Sequence, residues 1–349
     1  MANKPGQGGR ETFAPAILLA LAAATGLTLI VCVCIGSVTI PFPETASVIW
    51  HAITRQPMPQ STAAPIILSV RLPRILCVAL TGAALSVCGA AMQGLLQNPL
   101  ADGSTLGVSS GASLGAVLAI AFGVRLPGFP LAGTMGMAMV FAFGSLLVIL
   151  TLAYRLDHSL STQTIILIGV IFSMFVSSIL SLVITFAADR VQHITFWTMG
   201  SLAGSSYETA AILLGALMIC GTVLLGHARE LNAFAIGEDN ARSIGVPVRR
   251  VRLTVLAAVS ALIGVCVSIG GSIGFVGLVV PHMLRFLTGP NHRRLLPTCL
   301  FAGATFLMLC DLAARILLRP LELPIGVVTS LIGSVLFVLI FYRSRRNRV

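Results

Sequence analysis

The chain has 349 residues, 56% of them hydrophobic, with 22 Lys or Arg against 11 Asp or Glu and a net charge of +11. Only 9% of it is charged, against about 25% in an average soluble domain. That deficit excludes an ordinary soluble enzyme, and the hydrophobicity excludes a disordered chain; a protein that crosses a bilayer many times remains.

The charge-free runs place ten crossings, at 15–36, 70–95, 105–122, 131–152, 162–186, 208–226, 252–270, 274–287, 296–315 and 325–341. Most approach the ~20 apolar residues that a spanning helix needs. The strict alternation of an outer-membrane barrel is missing, so the fold class is all-α, a polytopic helical bundle. Residues 1–14 read as a tail, 15–342 as one transmembrane domain and 343–349 as a basic tail. The first apolar run is too long for a signal-peptide core and lacks a small-residue cleavage site before Pro41, so it reads as a retained helix.

The segment 39–69 is rich in proline, with a short helix expected near Glu44–Ala52. Arg71-Leu-Pro-Arg74 follows at the start of the second crossing. Gln97–Asp102 contains Asn-Pro and Asp-Gly, which are turn dipeptides; flanked by glycine-rich helices, it could also line the mouth of a path. Gly107, Gly111 and Gly115 form two G-x-x-x-G steps, a stripe that lets two membrane helices approach closely. Residues 188–206 are too few to span but hold Phe196, Trp197 and Met199, which suits an interfacial helix with Trp197 as its anchor.

Residues 227–252 make the most patterned polar segment. Leu231, Phe234, Ala235 and Ile236 form a short apolar patch, Gly237 breaks the chain, and Glu238–Ile244 begins with acids, as a helix N-terminus favours. Gly245 suits a C-cap and Pro247 stops the helix. Two short helices joined at a glycine would make a docking knob; an amphipathic helix lying on lipid is the alternative. Residues 253–284, interrupted at Gly270–Gly274, must cross twice or not at all, because the segments on either side are both strongly basic. The piece 274–287 spans only about 20 Å of a ~30 Å core. It therefore has to be sheltered by protein or line a cavity. Asp311 and Arg315 lie four apart on one helix face, either an internal neutralising pair or a functional one. With Arg71 and Arg74, Arg315 could present a positive patch to an acidic partner; contact with headgroups is the alternative. The eight cysteines sit in apolar runs without metal-ligand spacing and read as packing residues.

With the N-terminus inside, fifteen cations fall on the inner side and seven on the outer, as the positive-inside rule asks. No phosphate-binding loop, zinc-protease motif or nucleophile elbow is present. Asp311 is the one acid well inside an apolar run, which is thin for a proton-driven carrier.

These blocks together resemble, over nearly the whole length, the permease subunits of ABC importers for ferric siderophores, haem and cobalamin. The matching stretches are Arg71-Leu-Pro-Arg74, Gly82–Gln93, Asn98-Pro-Leu-Ala101 and Leu106-Gly-Val-Ser-Ser-Gly-Ala112. Further along come Gly274-Phe-Val-Gly-Leu-Val-Val-Pro-His282, Asp311-Leu-Ala-Ala-Arg315 and Glu322-Leu-Pro-Ile-Gly-Val-Val328.

The resemblance implies ten helices with both termini inside a bacterial cytoplasmic membrane. It further implies a second permease subunit, identical or related, two ATPase subunits on the inner side and a substrate-binding protein outside. ATP and magnesium would be held by the ATPase, while this chain would have no cofactor, metal, catalytic residue or nucleic-acid partner. By the same resemblance, Arg71, Arg74 and Arg315 match outer arginines that dock the binding protein. The segment with Leu231, Phe234, Gly237, Glu238, Asp239, Ala241, Arg242 and Gly245 matches the coupling helices. There Asp239-Asn240-Ala241 and Gly245 form a degenerate E-A-A-x-x-x-G motif, departing from it at the first two positions. Asn98 and Ser161-Thr162 match the inner gate, and the helix starting there, with Ser173, Ser177, Ser178 and Ser181, is implied to line the path. The expected cargo is a ferric siderophore, with haem or cobalamin as alternatives. An ion-coupled carrier acting alone is the rival from another class.

Overall fold

The computed structural model describes residues 13–36, 38, 40–57, 63–124, 132–158 and 161–346. The predicted tail over 1–14, the loop tip at 58–62, Arg125 and the last three residues lie wholly or mostly outside that description. Helix α1 (Phe13–Cys34) leads to the short α2 (Phe42–Thr54), then α3 (Ala63–Pro65), a π-helical turn (Ile66–Arg71) and α4 (Leu72–Leu95). After these come α5 (Val108–Phe122), α6 (Ala132–Leu156), α7 (Thr162–Phe186), the short α8 (Val191–Thr198) and α9 (Tyr207–Gly226). Two one-to-two-turn helices, α10 (Ala228–Phe234) and α11 (Glu238–Ser243), precede α12 (Val248–Gly270), α13 (Val276–Thr288), α14 (His292–Ile316) and α15 (Ile325–Arg346). Among the described residues there is no strand.

Seven helical stretches are long and apolar enough to span, and α5, α13 and the apolar part of α15 are shorter. These ten correspond to the ten expected crossings. The main difference lies at the second crossing, which begins at Ala63 and runs unbroken for 33 residues. Pro73 has no N–H to offer Ser69 and its ring crowds that carbonyl. The ladder widens there, and Leu72 N–H bonds Ile67 O instead. Local caps explain several other ends. Ser161 accepts from Thr164 N at the start of α7, Ser206 and Thr209 form a reciprocal capping box on α9, and Asn291 caps α14.

Helix α4 is the hub, with 78% of its spanning window buried against α14, α13, α9 and α12, whereas α7 is only 22% buried. Missing side chains make this packing possible. A Cβ on Gly82 would stand 2.3 Å from Gly303 O, and one on Gly89 would stand 1.9 Å from Gly277 O. Dispersion at such close helix–helix contacts replaces the hydrophobic drive that lipid removes. The predicted stripe works in the same way between α5 and α6: Gly111 abuts Ser145 and Phe141, and Gly115 abuts Met137. Gly107, at φ +70°, sits just before α5 and faces Ile149 and Gly169.

Contacts sort the helix ends into two faces. On one face lie the ends of α1 and α14, the start of α4 and α8, with Tyr207 Oη donating to Leu68 O. On the other lie the end of α4, the α13–α14 turn, α10 and α11, and the start of α12. Gly271 packs on Trp197 O at the first face, while Asn291 after α13 meets Asn232 at the second. The stretch 253–284 therefore crosses twice, as its basic flanks require. All eight cysteines are free, six of them buried in the core.

Candidate functional site

The 227–252 segment forms a knob with a buried root and an exposed tip. Leu231, Phe234 and Ala241 are fully buried and fasten it to the bundle. The Glu238 carboxylate accepts from Arg242 on its own helix and from Arg252 on α12, each at 2.7 Å. Arg252 is 0% exposed, with its guanidinium 5.9 Å from the Phe234 ring centroid. A charge so deeply placed is tolerable only when paired, and Glu238 supplies the pair.

Asn232 is a second root. Its amide donates to Asn291 Oδ1 at 2.9 Å, and its own oxygen accepts from His292 N at 2.8 Å and faces His292 Nδ1 at 2.9 Å. The knob is thereby tied to both α12 and α14. At φ +106°, Gly237 makes the corner between the short helices. The tip then presents Ile236, Asp239, Asn240, Arg242, Ser243, Ile244 and Gly245 to solvent. The knob thus combines a mixed apolar and polar tip with a root tied to two long helices.

The expected path residues divide. Ser161 caps α7, with its N–H donating to Asp157 Oδ2, so its hydroxyl is engaged in local structure. Beside it, Thr162 begins the helix. Ser173 accepts from Ser110 Oγ at 3.1 Å and joins α7 to α5, while Ser177, Ser178 and Ser181 lie on exposed surface. Asn98 closes a tight turn, its Oδ1 accepting from Leu100 N. The exposed side of α7 combines Leu167, Ile171, Met174 and Phe175 with those hydroxyls.

At the opposite face the structure corrects the expectation of an exposed positive patch. Arg71, Arg74 and Arg315 come together, yet they are only 5%, 7% and 3% exposed. Arg74 bonds Asp311 at 2.9 Å and Glu322 at 2.6 Å, and Arg315 pairs with Asp311 at 2.9 Å. Arg71 donates to the carbonyls of Val33, Cys34 and Val38, and Arg315 to those of Cys32 and Ile35. The last carbonyls of α1 lack helical partners and carry the negative end of its dipole. Arginines from two other helices satisfy them, which is why these side chains turn inward. The Asp311–Arg315 pair is thus the neutralising one, extended by Arg74. Arg319, whose guanidinium reaches Gly36 O, is the exposed cation of this cluster.

Several of these partners carry no signal in the sequence. Asn232 and Glu322 are single polar residues whose partners lie 60 and 248 positions away. The four-residue spacing of Asp311 and Arg315, by contrast, is local enough to be read directly.

Comparison with known proteins places the chain. The sequence profile of the FecCD transport family matches residues 24–343. The chain is 41% identical over 319 residues to YvrB, an ABC transporter permease protein of Bacillus subtilis, covering 89% of each. It is 34% identical to the molybdate import system permease protein MolB of Haemophilus influenzae, covering 95% of this chain and 97% of that one. Against the cobalamin import system permease protein BtuC of Halobacterium salinarum, identity is 36% over 97% of this chain and 90% of the relative. A solved metal-chelate type ABC transporter in an inward-facing conformation superposes with a TM-score of 0.83 at 33% identity, over 94% of this chain and 99% of that one.

Proposed function

Because this chain belongs to the FecCD transport family of ABC-importer permeases, we propose that it forms the path by which a ferric siderophore, delivered by a substrate-binding protein, crosses a bacterial cytoplasmic membrane. It is a multi-pass transport component, and ATP hydrolysis is the work of a separate ATPase subunit. The observation that carries the cargo reading is the exposed face of α7: across 25 residues the helix has no ionisable side chain, and beyond its first turn, which holds Gln163, that face carries bulky apolar groups and small hydroxyls. A wall of that kind passes a large chelate without holding it. A bare oxyanion such as molybdate would need fixed donors or cations to offset its desolvation. Cobalamin, also large, is the second reading, because a relative is named for it.

In this reading the knob faces the cytosol and meets the ATPase, with ATP and magnesium held by that partner, two copies of which act on two permease subunits. Closure of the ATPase dimer pushes the tip at Ile236 and Ile244. The roots at Glu238–Arg252 and Asn232–His292 pass the displacement to α12 and α14, which flank α4. Gating is then a rigid shift of packed helices between two arrangements. The binding protein docks at the opposite face, where buried Arg71, Arg74 and Arg315 shape the surface and exposed Arg319 can touch an acidic lobe.

The test is uptake into proteoliposomes containing the chain, its ATPase and its binding protein. ATP-dependent accumulation of a labelled ferric siderophore, with labelled molybdate at background, is expected. Accumulation of cobalamin or molybdate but no chelate would overturn the cargo. Uptake that needs no ATPase and follows an ion gradient would overturn the importer reading itself.

A further inference from the structure

A groove of ≈ 660 Å³ lies at the knob face, between the first turns of α1 and the α13–α14 hairpin. Three arginines line it, Arg285, Arg293 and Arg294, and no acidic residue does. Its remaining wall is largely apolar, including Ile17, Leu18 and Phe286. Basic head and apolar wall thus meet in one concavity.

Depth in the membrane matters here. Helix α13 has 13 residues, so it rises only about 20 Å and ends at Thr288 on the knob face. Arg285 lies one turn before that end. Its guanidinium donates to Gln93 Oε1, which fixes it while leaving donors of its five to serve a ligand. Arg293 is exposed at the start of α14. Arg285 and Phe286 are consecutive residues near the end of α13, so a guanidinium and a ring that is 63% exposed stand side by side at one depth of the groove. Helix α1, which supplies Pro15, Ile17 and Leu18 to the groove, is only 11% buried in its spanning window.

We propose that this groove is a binding site for an anionic phospholipid, its phosphate held by Arg285 and Arg293 and an acyl chain laid along Ile17, Leu18 and Phe286. Basic pockets between membrane helices select anionic headgroups, each nearby cation contributing about 1 kcal/mol of attraction, or about fivefold in affinity. The occupant would join α1 to the hairpin whose turn, at Asn291 and His292, anchors the knob. Lipid composition would then influence the rigidity of the coupling root. The inference does not depend on the transported substrate or on the ATPase.

The experiment is native mass spectrometry of the detergent-solubilised full chain titrated with dioleoylphosphatidylglycerol, dioleoylphosphatidylcholine or inorganic phosphate. Retention of phosphatidylglycerol at least about fivefold above phosphatidylcholine is expected, with inorganic phosphate failing to displace it. Arg293→Glu, on the exposed surface, should reduce that retention at least about fivefold, and Leu18→Ser should weaken it with every cation left in place. Equal retention of both lipids, displacement by phosphate alone, or an undiminished signal in Arg293→Glu would each overturn the site.

Discussion

Replacing Asp311 by alanine is expected to destabilise the protein by about 3–5 kcal/mol, the usual consequence of stranding a buried charge. Asp311 is 1% exposed and lies between two buried guanidiniums, Arg74 and Arg315. Without it, Arg315 keeps only the carbonyls of Cys32 and Ile35, and Arg74 keeps only Glu322, whose side chain is 33% exposed. Thermal unfolding of the purified chain in detergent should show a large drop for Asp311→Ala. Asp311→Asn should fall nearly as far, since it restores shape without charge. Glu322→Gln, at the solvent-exposed end of the network, should lose about 1 kcal/mol or less. Equal stability of Asp311→Ala and the parent chain would mean that the network does not hold α4, α14 and α1 together. Charge reversal at Arg71 or Arg74 should first disturb folding, because both are internally committed.

Replacing Gly245 by valine should leave the fold intact and uncouple ATP hydrolysis from uptake. The residue sits at φ +88° with nothing within 4 Å of a built Cβ. The cost is therefore conformational, about 1–3 kcal/mol for a β-branched residue held in the left-handed region. Gly245 N–H bonds Arg242 O and Val246 N–H bonds Ala241 O, so relief of that strain would unwind the end of α11. At about 1.4 kcal/mol per decade, transport per ATP hydrolysed should fall roughly tenfold. Gly245→Asn, which tolerates the same backbone conformation, should recover most of it. Full coupling in Gly245→Val, measured as cargo accumulated per phosphate released, would remove the cap from the mechanism.

The bundle was legible in the sequence because a bilayer leaves few choices. Charges must fall outside it and every crossing must be helical, so charge-free runs read out nearly as helices, with α7 spanning 162–186 as expected. The knob was legible for a local reason, Gly237 and Gly245 bracketing one amphipathic turn. Side-chain commitment was not. Whether an arginine at a helix end faces water or caps another helix depends on which carbonyls lie nearby, and Arg71 finds its own 33–38 positions away. Ser173 likewise read as part of a polar wall, because nothing local reveals that Ser110 donates to it.

The central claim is that the 227–252 knob is where the motor subunit grips this permease. A photo-reactive benzoylphenylalanine in place of Ile244, which is 66% exposed at the knob tip, tests it against the same group in place of Trp50, 62% exposed on α2. With the ATPase present, the account predicts a cross-linked permease–ATPase adduct from position 244 and none from position 50. An adduct from position 50 and none from position 244 would contradict it.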